Sequence, residues 1–257
     1  IYDTDDQKRV MKRVQKNLGI DDKFLNHRAI LTEISRAKDS LIDPREYKHN
    51  NQNDFRKSKI SECYRDYQQE LLRSDAMDFD DMIFNTVRLL KENPDVLETY
   101  QHQFKYIIVD EYQDTSYAQY VLTYLLAGEY HNICVVGDDD QSIYRFRGAT
   151  IENIMRFKER YEDEGVKVIQ LQLAENYRSK QNILDAANAV IANNKTRLAD
   201  KRLRSYTGKN GDKIVLYTAN NELDEAQFII DQINENVKNG MSYKDHAVLY
   251  RMNAQSR

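Results

Sequence analysis

The sequence is poor in cysteine, proline and glycine: its 257 residues hold two, two and eight of them. Cys63 and Cys134 are too few for a disulfide framework or a thiolate zinc site, and a reducing, cytoplasmic setting suits them. The scarcity of proline and glycine excludes a linker-rich or collagen-like chain. Long apolar runs are missing as well. The stretch Tyr106–Val109 is typical, far short of a membrane span, and no signal peptide is visible. The five histidines are scattered without metal-ligand spacing. Neither sign of charge dominates: 38 basic against 42 acidic residues leave a net charge of −4. Taken alone, that balance counts against a general nucleic-acid binder.

What is present is unevenly spread. Residues 1–60 carry a net charge of +4, residues 61–130 carry −9, and the remainder carries +1. Apolar residues recur at helical spacing over Asp5–Leu18, Asp21–Ala37 and Asp54–Arg73, so residues 1–75 read as helical and polar. Asp78 is placed to cap a helix from Phe79 to Lys91, and Pro94 opens a short one. The middle changes character. Phe104–Asp110 and Asn132–Gly137 are continuous apolar runs with β-branched residues, as buried parallel strands are. Helices are expected over Ser116–Leu126 and Thr150–Tyr161, and a third strand over Lys167–Leu173. Beyond Ser179 the sequence suggests a helix to about Ala192, a looping stretch to Asp212, a strand at Lys213–Thr218, a helix at Leu223–Lys238 and a strand at Ala247–Tyr250. Strands alternating with helices imply an α/β chain with a parallel sheet.

The first strand ends in Asp110-Glu111, two carboxylates at the sheet edge where α/β folds bind ligands. Such a pair can hold Mg²⁺ and take a proton from an attacking water, or it can be two acids in a turn. Its surroundings decide more. Val109-Asp110-Glu111-Tyr112-Gln113-Asp114-Thr115 comes after one strand. Gly137-Asp138-Asp139-Asp140-Gln141-Ser142-Ile143-Tyr144-Arg145-Phe146-Arg147-Gly148-Ala149 comes after the next. Glu175-Asn176-Tyr177-Arg178-Ser179 comes after the third expected strand. Together with Ile1-Tyr2-Asp3-Thr4-Asp5-Asp6-Gln7, Met77-Asp78-Phe79-Asp80-Asp81 and Leu249-Tyr250-Arg251-Met252-Asn253-Ala254-Gln255-Ser256-Arg257, this order resembles the superfamily 1 DNA helicases of the UvrD, Rep and PcrA group.

The resemblance implies a P-loop NTPase (RecA-like) parallel sheet, here partial. It would carry an all-helical insertion subdomain (1B-like) at 1–75, the latter part of the first motor domain (1A-like) at 76–178 and the start of a second α/β motor domain (2A-like) at 179–257. It implies ATP and Mg²⁺ as cofactors. Asp110 would bind the metal, with Glu111 beside it as general base. Gln141 would sense the γ-phosphate, Arg178 would reach that phosphate from across the interdomain cleft, and Tyr177 would stack on adenine. Phe79, Tyr144, Phe146, Arg147, Arg251 and Asn253 would lie on a single-stranded DNA path of stacking rings and cations. In the family the position of Phe146 is commonly tryptophan and that of Arg145 often small; phenylalanine keeps a smaller stacking face.

No G-x-x-x-x-G-K-[ST] phosphate loop occurs in the sequence. The chain starts on Ile1 and stops at Arg257 without a terminal feature, so an internal fragment of a larger helicase is expected, inactive by itself. The expected parent is a 3′ to 5′ translocase acting on single-stranded DNA and duplex junctions, with repair or replication proteins as partners and a cytoplasmic location. The alternatives are a non-catalytic DNA-binding or protein-docking module derived from a helicase, or the helicase subunit of a helicase–nuclease complex.

Overall fold

A computed structural model describes residues 1–257 apart from 146, 147, 196, 199, 253, 254, 256 and 257. Phe146, Arg147 and Asn253 therefore lie outside the described residues. The chain forms two compact units, one of Ile1–Leu173 with Val190–Arg202, the other of Ala174–Ala189 with Leu203–Arg257. The stretch Val190–Arg202, grouped with 179–257 on sequence, packs within the first unit. No helix among the described residues is long and apolar enough to cross a membrane.

The first unit opens with four helices: α1 (Thr4–Asn17), α2 (His27–Asp39), α3 (Pro44–Asn50) and α4 (Phe55–Arg73). Each starts on a side-chain cap, Asp3, Asn26, Asp43 and Asp54, whose oxygen takes up backbone N–H groups that the first turn leaves unpaired. Their apolar faces close one core that includes Met11, Leu25, Ile30, Ile34, Tyr64 and Leu71. α3 is absent from the sequence reading, because seven residues are too few to show a period.

Helix α5 (Phe79–Glu92) begins with a reciprocal capping box between Asp78 and Asp81. Both carboxylates are buried and share Lys38 of α2, whose Nζ lies 2.7 Å from Asp78 Oδ2 and 2.9 Å from Asp81 Oδ1. The Tyr67 hydroxyl also donates to Asp78, at 3.0 Å. This network fastens α2 and α4 to the start of α5. Helix α6 (Pro94–Gln103) leads into β1 (Ile107–Val109), then α7 (Tyr117–Ala127) and β2 (Ile133–Val135). β1 and β2 pair in parallel, Ile107 opposite Ile133 and Val109 opposite Val135.

The helix expected over Thr150–Tyr161 is divided into α8 (Glu152–Met155) and α9 (Phe157–Asp163). The strand expected at Lys167–Leu173 carries no ladder bonds; nor do Lys213–Thr218 and Ala247–Tyr250. The reason is physical: a strand needs a neighbouring backbone. The outer edge of β2 and residues 166–171 face each other across a cavity of about 380 Å³ lined by Ile133, Val135, Val168, Ile169 and Leu171 among others.

In the second unit, β3 (Glu175–Asn176) pairs in parallel with β4 (Arg204–Ser205), inside a stretch expected to be loop. Helices α10 (Gln181–Ile191) and α11 (Glu222–Lys238) match the periodic segments of the sequence.

Candidate functional site

The parallel register puts the segment after β1 beside the segment after β2. Val136 N–H donates to Val109 O at 2.8 Å and Tyr112 N–H donates to Val136 O at 2.9 Å. Between them the backbone turns sharply at Glu111, which is left-handed at φ 49° and ψ 41°. A non-glycine residue there costs about 1–2 kcal/mol, and such strain concentrates at functional sites. Asp110 and Glu111 are both exposed, and Asp110 Oδ1 accepts the Glu111 N–H at 2.9 Å.

Gln113 joins the two loops. It is 1% exposed. Its Nε2 donates to Glu111 Oε2 at 2.8 Å, and its Oε1 accepts the Asp138 N–H at 3.0 Å. Gly137 makes the approach possible: a Cβ there would stand 2.6 Å from Gln113 Oε1 and 2.9 Å from Ile154 Cδ1. Asp138 in turn caps the short 3-10 turn Asp139–Gln141, and its Oδ2 accepts from Gln141 Nε2 at 2.7 Å. Glu111 and Gln141, singled out on sequence, are thus two ends of one hydrogen-bonded chain running through Gln113 and Asp138. Neither intermediary was assigned a role from sequence. The available signal was their position, each a few residues past a strand end.

Below this chain, Asn153 is fully buried, and its Nδ2 donates to Thr115 O, Thr115 Oγ1 and Ser116 O at 3.1–3.2 Å. Tyr112 packs edge-on against Phe157. Thr150 N–H returns to Thr115 O at 3.0 Å, so the loop bearing Tyr144 closes back on the first motif. Gly148 in that loop has φ +86° and sits against the Asp39 carboxylate, leaving no room for a Cβ. Asp39 is held up at about 6, first by burial and then by neighbouring Asp80, against a hydrogen bond from Ser116.

The three carboxylates of Asp138, Asp139 and Asp140 lie within ligand distance of one another. They are already engaged. Arg197 binds Asp140 through Nε and Nη2, with Nη2 at 2.9 Å from Oδ2, Lys201 Nζ binds Asp138, and Leu198 N–H binds Asp139. Burial pushes the Asp138 acid up, but the hydrogen bonds from Lys201 and Gln141 outweigh it and hold the carboxyl below the ordinary range. Asp110 and Glu111 offer further, exposed carboxylate oxygens at the C-terminal edge of the strand pair, donors of the type a hard divalent cation takes.

Phe79 is the first residue of α5, and it and Tyr144 are surface-exposed. The other described candidates belong to the second unit. The Tyr177 ring lies 4.6 Å, centroid to centroid, from that of Tyr206, the two planes tilted by 33°. The exposed Arg178 lies in a turn where Asn176 Oδ1 accepts the Arg178 and Ser179 N–H groups, at 3.0 and 2.8 Å. Arg251 is exposed near the end of the described chain, its N–H bonded to Gln255 Oε1.

Residues 1–162 match the UvrD/REP helicase N-terminal domain, and residues 171–257 match the UvrD-like helicase C-terminal domain. The chain belongs to the UvrD/REP helicase family. Among UvrD/REP relatives it is 46% identical to the ATP-dependent DNA helicase PcrA of Staphylococcus aureus (strain Mu50) over 257 residues, all of this chain and 34% of the relative. The same identity and coverage hold for the PcrA of Staphylococcus epidermidis (strain ATCC 12228). The chain thus spans about a third of the length of these curated relatives. Its α/β content and small parallel sheets fit a UvrD/REP helicase fold.

Proposed function

We propose that the longer protein containing this chain is an ATP-dependent DNA helicase that couples Mg-ATP hydrolysis to 3′ to 5′ movement on single-stranded DNA and to unwinding at duplex junctions. The observation that carries this reading is the buried Gln113 bridge, which fixes an acid at one strand end relative to an amide at the next. PcrA, the name carried by the relatives, is that of an ATP-dependent DNA helicase.

Mg²⁺, when bound, neutralises phosphate charge and orients the terminal phosphate. Asp110 would hold it, and Glu111, turned off the strand by its left-handed backbone, would receive the proton of the attacking water. Gln141 reads the terminal phosphate with an uncharged amide, which can change partners when that phosphate leaves. Arg178 contributes a planar guanidinium to the transferring oxygens, and Tyr177 stacks on the base. Phe79, Tyr144 and Arg251 contact single-stranded DNA, and the same role falls by residue type to Phe146, Arg147 and Asn253, which lie outside the described residues.

The fold in this reading is RecA-like, with a 1B-like insertion at 1–75, a 1A-like part at 76–178 and a 2A-like part at 179–257. The phosphate loop belongs to the longer protein outside these residues. Its strand suits the cavity between the outer edge of β2 and residues 166–171, which carry no ladder bonds to each other. By itself the chain hydrolyses no ATP. The parent works in the cytoplasm, in repair or replication.

The test is Glu111→Gln in the longer protein. Glutamine keeps an acceptor for Gln113 but takes no proton. ATP binding is retained and single-strand-stimulated hydrolysis falls about 10²- to 10⁴-fold, the usual contribution of a general base. Unchanged steady-state turnover would overturn the assignment.

A further inference from the structure

We propose that Val190–Arg202 is a strap that positions the Gln141 amide, with Lys201 and Arg197 as its positioning residues. The inference rests on the reading of Gln141 as the phosphate sensor.

The contacts converge on one short turn. Asp138 divides its carboxylate: Oδ2 receives Gln141 Nε2, and Oδ1 receives Lys201 Nζ together with the Asp140 N–H. Arg197 takes Asp140 through a forked pair, Nε at 3.1 Å from Oδ1 and Nη2 at 2.9 Å from Oδ2. The same Nη2 donates to the Lys201 backbone carbonyl at 2.9 Å, so the guanidinium also holds the backbone that carries Lys201. Leu198 N–H closes on Asp139 Oδ2 at 2.8 Å. These are not loose surface pairs: Asp140 is 5%, Arg197 14% and Lys201 17% exposed at the side chain.

The strap acts in two physical ways. Three successive carboxylates would repel a polyphosphate, and Lys201 and Arg197 cancel two of those charges. The exposed Gln141 side chain has a fixed acceptor only because Asp138 is itself held.

The strap also has a place in the chain. It packs in the first unit, but both its ends run into the second, and two residues beyond Arg202 the chain forms β4. β4 pairs with β3, Asn176 opposite Ser205, and Asn176 Oδ1 receives the Arg178 N–H. In sequence the strap thus leads directly into the strand that pairs beside Asn176.

The experiment uses the longer protein and a double-mutant cycle between Lys201→Met and Gln141→Ala. The readouts are the single-strand-stimulated kcat and KM for ATP, with hydrogen exchange of the 138–141 amides monitored alongside. Lys201→Met lowers kcat about tenfold in the parent but has little further effect once Gln141 is alanine. It also speeds exchange at 138–141. Lys201→Arg, which keeps the charge and the donor, restores most of the rate and guards against a folding defect as the cause. Additive effects of the two substitutions, or unchanged exchange at 138–141, would overturn the strap. Absence of ATPase in the unmutated protein would instead overturn the functional reading on which it stands, and shows before any substitution is made.

Discussion

Gln113 donates to Glu111 across 2.8 Å from a position that is almost wholly sealed from water. The same amide accepts the Asp138 N–H. A buried amide with both ends occupied sets distance and orientation together, because neither end can turn to solvent for a substitute. Gln113→Glu removes the donor and places two carboxylates side by side. In the longer protein ATPase falls about a hundredfold, the cost of a misplaced reacting group, and chemical denaturation shows a loss of about 1–3 kcal/mol. Turnover equal to the parent protein would show that the bridge does not serve Glu111.

Gly137→Ala tests the same contact from the opposite loop. The added methyl meets Gln113 Oε1 and Ile154 Cδ1 well inside van der Waals distance. A loss of about 1–3 kcal/mol in urea denaturation is expected from overpacking, with reduced ATPase as the bridge is pushed aside. An alanine variant of parental stability would mean that the two loops separate at no cost.

Lys38→Met leaves Asp78 and Asp81 buried without their cation. Breaking a buried pair on one side costs about 3–5 kcal/mol, here at the contact between α2 and the start of α5. The urea midpoint reads the loss directly. Lys38→Arg, which keeps the charge but not the compact head, recovers only part of it.

Asp39 gives stability a pH dependence with a defined sign. Its carboxyl is raised to about 6 in the folded chain, chiefly by burial, from an ordinary value of 3.8. The folded state therefore holds this proton more tightly than the unfolded one. That contribution to stability is present below about pH 4 and is lost as pH rises through about 6. Asp39→Asn has no such loss. The stability difference between variant and parent should grow in favour of asparagine across that window and then level off. A difference independent of pH would place the titration elsewhere.

Most long helices were legible from a period of three turns or more behind a capping residue, but α2, expected from Asp21, begins only at His27 behind its cap Asn26. α1, α4, α5 and α11 start within a residue or two of their expected positions. β1 and β2 were legible as apolar runs, though only three residues of each are paired. The segment Lys167–Leu173 has the composition of a strand but no neighbour to pair with, and composition does not report neighbours. β4 was missed for the opposite reason: Arg204 and Ser205 are polar, and only β3 beside them makes a strand. In the site, Asp110, Glu111 and Gln141 stood out as residue types at strand ends. Gln113 did not, since its role depends on which two loops the register brings together. Lys38 and Lys201 were hidden as ordinary surface cations; their partners lie 40 and 63 positions away.

The unpaired segment beside the β2 edge has a consequence for the molecule in bulk. Ile169, Leu171 and Leu173 are each at least three-quarters exposed and fall on alternate positions. Such a row of alternating apolar residues, without ladder bonds among the described residues, is a template for strand addition. Whatever does not cover it from within the longer protein leaves it open to a copy of itself, so this segment is where self-association of the 257-residue chain would nucleate.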